Sequence, residues 1–213
     1  MSQLNTILIE RLWFAIALVT ALNLLDYRLS IAGIRWFRRG AHHHYAMDGS
    51  YELNAPFVDD VEAERPISLR HALALVRTAL IIGVAWWLTV HEGRLEGVYL
   101  AILGFFVLIQ VPVQMRHIQN IALFRTVVLR GGVRGRTQAA RWLDLRMSGV
   151  VFWGFAGFYV LMWAILAEPF FLGGAVGAGL AGARFWIFGS DAEKGLSEEE
   201  VVDEEWPPPD CAQ

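Results

Sequence analysis

The chain predicts an all-α fold: a polytopic transmembrane helical bundle of about five spans, with a cytosolic helical hairpin and a disordered acidic C-terminal tail. Three observations carry this reading. Residues 97–115 and 147–167 are apolar runs without a single charge, and residues 71–90 and 169–189 each hold one arginine, Arg77 and Arg184. A helix rises about 1.5 Å per residue, so roughly 20 apolar residues cross a hydrocarbon core of about 30 Å. Apolar residues make up 55% of the 213, which leaves too little for several globular domains beside the membrane part. The basic residues, finally, gather on alternate connections.

In chain order, the first span is the shortest. Residues 12–25 lack charge, and the run reaches membrane length only by taking in Asp26 and Arg28, to about residue 34, or Glu10 and Arg11. No basic leader or small-residue cleavage site precedes it, so it is expected to stay as an anchor. A connection over 35–68 follows, with a turn signal at Asp48-Gly49 and partial order expected. Ser68, just past Pro66, is placed to cap the second span, 69–90. Residues 91–96 make a tight turn into the third span, 97–115. The helix is expected to run on to Arg130, break at Gly131-Gly132 because glycine supplies positive-φ turns, and resume over 136–146 into the fourth span, 147–167. This is the cytosolic hairpin. Another tight turn leads to the fifth span, 169–189. Residues 1–189 thus form one membrane domain, and 190–213 a tail with nine acids against Lys194, too polar to order itself.

Orientation follows from the arginines. Seventeen of the eighteen basic residues are arginine. The connections at 35–68 and 116–146, Arg70 just beyond the first of them and Lys194 of the tail together make thirteen basic residues, whereas the opposite side holds Arg11 and Arg94. Cytoplasmic loops retain Lys and Arg, so the N-terminus is expected outside and the C-terminus in the cytosol. The Arg-rich, Lys-poor usage points to the cytoplasmic membrane of a prokaryote. The single cysteine, Cys211, falls in the reducing compartment, so no disulfide framework is expected.

A polar layer crosses three spans. Asp26 and Arg77 each lie eight residues from the cytosolic end of their span, about 12 Å deep at helical rise, with Asn23 slightly deeper. Gln110 and Gln114 flank Pro112 on the third span, Gln110 at roughly 9 Å. Intramembrane ionisable groups cost about 2.5 to 3.5 kcal/mol each and usually face a partner or water. An Asp26–Arg77 pair would lower that cost. The ordinary reading is polar glue that sets helix register. The alternatives are a solvated pore or relay, with Pro112 freeing a carbonyl, and a ligand pocket.

In the fifth span, Gly174, Ala178 and Gly182 form one small-residue stripe and Gly173, Gly177 and Ala181 an adjacent one. Such stripes let helices approach closely, which makes them a packing or homo-oligomer interface with two neighbours. The letters Gly177-x-Gly179-x-x-Gly182 match a dinucleotide fingerprint, but a phosphate loop needs a preceding strand, and this copy lies inside a membrane helix.

Arg116, Arg125, Arg130, Arg134, Arg136, Arg141 and Arg146, with Asp144 the only acid among them, form a basic surface. Anionic headgroups are its expected partner, at about 1 kcal/mol per residue, and the acidic tail is a second candidate, weakened by salt. Nucleic acid is not expected, because no binding fold accompanies the charge. His42, His43 and His44 cannot all reach one ion from a regular helix, so no metal is assigned, and no cofactor either. No nucleophile–base set or phosphate loop is present, so a non-enzymatic role is expected. These features predict a small homo-oligomeric channel or solute-permeating protein; the other reading is a non-transporting assembly or scaffold subunit of a larger membrane complex, bound to a membrane-protein partner.

Overall fold

A computed structural model describes residues 3–47, 55–93, 95–131, 133, 135 and 137–194. Eight α-helices account for most of them: α1 (Gln3–Glu10), α2 (Leu12–Arg38), α3 (Val58–Glu62), α4 (Leu69–Glu92), α5 (Glu96–Leu108), α6 (Gln110–Arg130), α7 (Arg141–Leu166) and α8 (Pro169–Lys194). With α5 and α6 taken as one rod, five helices are long and apolar enough to cross a membrane, which fits a multi-pass membrane protein. Asp48-Gly49, Arg134, Arg136 and the tail beyond Lys194 lie outside the described residues.

Local chemistry sets the helix ends. Ser68 caps α4 as its position predicts, accepting the His71 N–H at 3.1 Å. Gly93 and Gly131 end α4 and α6 at φ of 62° and 67°, a region that glycine enters without a Cβ penalty. Pro169 opens α8 at the first helical position, where a missing N–H removes no helical bond.

The rod formed by α5 and α6 is interrupted at Ile109. Pro112 has no N–H for the carbonyl four residues back, that of Leu108. The Tyr159 hydroxyl of α7 donates to that oxygen at 3.0 Å. The carbonyl that proline frees is therefore taken up by the neighbouring helix rather than turned to a pore.

Packing divides the bundle. α8 lies between α5 and α7 and buries its small-residue faces on both, while α4 is held by α2 and α5. A first core cluster at one end gathers Leu8, Val19, Ile82, Tyr99, Leu100 and Leu103. There the Tyr99 hydroxyl donates to Leu8 O at 2.9 Å and the Trp86 indole to Ile9 O at 2.8 Å, satisfying carbonyls left open at the end of α1. A second cluster at the opposite end joins Tyr27, Ile31, Ile34, Ala41, Val61 and Phe124. The outer stripe of α4, with Leu73 60% and Leu80 64% exposed, suits a lipid surface.

The hairpin differs in detail from its sequence reading. The arm α6 runs unbroken to Arg130, but it packs chiefly on α2. The return arm begins at Arg141, because Thr137–Ala139 is not helical. It pairs as a three-residue parallel strand, β2, with β1 (Tyr45–Met47) in the register Tyr45 to Thr137. Its β-branched Thr137 donates its N–H to His44 O at 2.8 Å, which ties the two long connections together.

Candidate functional site

The polar layer is brought together, with different partners from those its depth implied. Asn23, Asp26 and Ser30 lie at three- and four-residue steps on one face of α2. Gln110, Gln114 and His117 do the same on α6. The two faces meet. Gln110 Nε2 donates to Asn23 Oδ1 at 3.3 Å, Gln114 Nε2 to Leu22 O at 3.1 Å, and Asn23 Nδ2 to Val19 O at 2.8 Å.

Asp26 contacts His117, not Arg77: Nε2 and Oδ1 are 3.1 Å apart, and the same imidazole nitrogen lies 3.3 Å from Ser30 Oγ. The ion pair expected between Asp26 and Arg77 is absent among the described residues. The reason is geometric. The face of α6 that carries Gln110 and Gln114 carries His117 next, directly across from Asp26 on α2, whereas Arg77 stands on α4.

Arg77 instead lines a cavity of about 470 Å³ between α2, α4, α6 and α8. Its floor is Asn23, Asp26, Ser30, Gln110 and His117; Arg116 and Asn120 extend it along α6. Across from α4, Leu180, Arg184 and Phe188 of α8 form the other wall. The first core cluster closes one end. Towards the other, Tyr27 and His71 stack at 4.7 Å between ring centres and Phe57 meets His71 edge-on, which roofs the space over α4. α4 and α8 pack on other helices rather than on each other, so the cavity opens sideways between them.

Its electrostatics are unbalanced. Arg116 donates to Asp144 at 2.9 Å, and Asp26 has His117. Among the described residues, no carboxylate lies within ion-pair distance of Arg77 or Arg184; the Arg184 guanidinium sits 5.2 Å above the Phe188 ring. Gln110 and His71 are each only 8% exposed, and Gln110 Oε1 and His71 Nε2 are buried without a hydrogen-bond partner among the described residues, while Asp26 Oδ1 has the His117 imidazole at 3.1 Å.

The roof is held by a carboxylate clamp outside the spans. Ser68 Oγ donates to Asp60 Oδ2 at 2.5 Å, and Arg65 Nη1 to Asp60 Oδ1 at 2.9 Å. The Ser68 hydroxyl first, then the Arg65 and Arg70 charges, hold the Asp60 carboxyl below its ordinary range. Glu64 is lowered likewise, by the hydrogen bond from Arg35 and then that from Arg38. The Tyr27 hydroxyl donates to Arg65 O at 2.8 Å and so joins this clamp to the cavity.

The glycine stripes of α8 are filled within the chain. A Cβ on Gly173 would collide with the Ala101 carbonyl, and one on Gly174 with the Leu108 side chain. Gly177 faces Phe105, and Gly182 faces Trp153 and Gly149 of α7. Ala178 is buried and Ala181 partly so, both in the α7–α8 core. These faces have two neighbours, α5 and α7, and are not available to a second copy.

The basic surface is not one field. Arg116 faces Asp144, and Arg146 pairs with Glu193 at the start of the acidic segment while lying over the Trp142 and Trp186 rings; Arg125, Arg130 and Arg141 are exposed. His42 and His44 approach the carbonyls of Phe37 and Gly135 through Nδ1.

His117, Ser30, His71, Thr78 and Arg184 are cavity residues that depth along the spans does not reveal. The signal was available in part. Ser30 follows Asp26 by four and His117 follows Gln114 by three, the repeat of one helix face. No known protein family, curated protein or solved structure matches the chain.

Proposed function

We propose that this protein binds a solute in the cavity between its spans, as the resting site of a binding or permeation step, without enzymatic chemistry. The observation that supports this reading most is the cavity itself: about 470 Å³ lined by Arg77, Arg184, Gln110 and His117, with no carboxylate within ion-pair distance of Arg77 or Arg184 among the described residues. Side chains that serve only as glue between helices would pair with one another. Two cations without a protein counter-charge beside such a space suit water and a solute.

Binding needs no second copy of the chain, since the site is complete within one. A path across the membrane requires the cluster of Ile82, Tyr99 and Leu103 to part, which makes the cavity a site first and a conduit second. On the distribution of arginines we place the cavity in the cytosolic half of a prokaryotic cytoplasmic membrane, N-terminus outside and C-terminus in the cytosol.

Single cysteines at positions 26, 77, 78, 110 and 114, in a Cys211→Ser background and in lipid nanodiscs, test the reading with a water-soluble thiol reagent. Positions 77, 78 and 110 react, and Ala85→Cys in the apolar cluster does not. If 78 and 110 are as inert as 85, the polar layer is structural glue and the protein is a scaffold subunit.

A further inference from the structure

We infer that the solute is a lipid with a phosphomonoester head, admitted from the side between α4 and α8. This rests on the solute-binding reading above and adds the chemical class of the ligand.

Charge selects the head. Arg77 and Arg184 face the cavity from opposite walls, with no carboxylate in reach of either among the described residues, while Arg116 and Asp26 are already engaged. A guanidinium presents a planar fork of donors that matches phosphate or carboxylate oxygens. Two such groups on facing helices define a site for an anion with several oxygens. The excess of positive charge also argues against a cationic or neutral solute.

Oxygen count refines the choice. A carboxylate offers two oxygens, enough for one guanidinium fork, whereas a phosphomonoester offers three and can meet forks from both walls.

Shape selects the tail. Phe105, Phe106 and Phe185 line the cavity beside its polar floor, and Leu180 and Phe188 stand exposed at its mouth, where acyl chains would lie. The first core cluster lies at one end and the Tyr27, Phe57 and His71 stack at the other, so the gap between α4 and α8 is the side that meets acyl chains. An amphiphile already in the leaflet would only slide its head inward. The volume, about 470 Å³, suits a head and the start of its chains rather than a whole lipid.

The test is native mass spectrometry of the full chain in detergent micelles, offered dioleoyl phosphatidic acid, dioleoyl phosphatidylcholine, oleate or inorganic phosphate. The wild type is expected to retain one phosphatidic acid per chain with a preference of roughly tenfold or more over phosphatidylcholine, the scale of one charge-assisted hydrogen bond. Arg77→Gln with Arg184→Gln removes that preference, and Arg28→Gln, on α2 outside the cavity, leaves it.

Equal retention of the two phospholipids overturns the inference, and this comparison needs no variant to fold. An unchanged preference in the double variant overturns it too. Oleate held as tightly replaces the phosphomonoester with any acid head, and displacement by millimolar inorganic phosphate makes the ligand a free anion. Thr78→Cys labelling separates the two levels: a reactive cysteine without lipid preference keeps the solute site and removes the lipid, whereas an inert one removes both.

Discussion

The two halves of the bundle solve the same packing problem in opposite ways. On the α5–α8–α7 side, glycines bring backbones into contact: Gly104 meets the Phe170 carbonyl, Gly173 that of Ala101, and Gly149 that of Gly182. On the α2–α4–α6 side, long polar side chains hold the helices apart, and a cavity remains. In a membrane, where lipid is as apolar as leucine, close approach supplies dispersion energy that greasy side chains alone do not. The first half can therefore serve as the rigid frame on which the second keeps unmatched polar groups at a fixed separation.

Breaking the frame should have the largest effect. Gly173→Ala places a Cβ against backbone that cannot swing aside. A loss of at least about 3 kcal/mol is expected, at the upper end for overpacking, read as loss of the monodisperse folded peak on size exclusion. Gly154→Ala on α7, with nothing within 4 Å of its Cβ, should gain about 0.5 to 1 kcal/mol from helix propensity. Equal behaviour of the two would remove the distinction between the halves.

The second effect is smaller and falls on the cavity side. Ser68→Ala removes both the cap of α4 and a hydrogen bond to Asp60, and should lower stability by about 1 to 2 kcal/mol in thermal unfolding. The same clamp gives a pH dependence. The folded Asp60 and Glu64 carboxyls titrate below their unfolded values, so their contribution is complete above the unfolded range, about 3.9 to 4.3, and is lost as pH falls through the lower folded values. Amide exchange over residues 57–68 should accelerate at pH 3 relative to pH 7, and in Asp60→Asn at pH 7 as well. Uniform protection would show that the clamp does not hold the roof.

The smallest effect is expected at Arg116–Asp144. Its partners are 22% and 49% exposed, so Asp144→Asn should change stability by less than about 1 kcal/mol, while adding an unmatched arginine to the cavity wall. Tighter retention of an anionic lipid with unchanged melting would sharpen the contrast between a packing contact and a site contact.

The frame was more legible than the site. Apolar length alone marks the spans, Ser68 after Pro66 marks a cap, and a four-residue step of small residues marks a helix with two close neighbours. Each is a local signal read within one or two helical turns. The site depends on which helices face each other, and that is a long-range outcome. Depth counted from assumed helix ends matches Asp26 with Arg77, but depth does not say which way a side chain turns round its helix axis. The face of α6 that meets α2 carries His117 to Asp26 instead. Likewise nothing near Thr137 announces a strand, because its partner lies at Tyr45.

That distant partnership carries a consequence for biogenesis. β1 is synthesised about 90 residues before β2, which at about 5 to 20 residues per second is a delay of roughly 5 to 20 s. Throughout that interval the edge of the first connection stays unpaired, while the second and third spans, α4 and the α5–α6 rod, are still being made. Completion of the ladder is thus a late event that a nascent chain halted before residue 137 cannot reach, and chaperones would meet this connection with its edge bare.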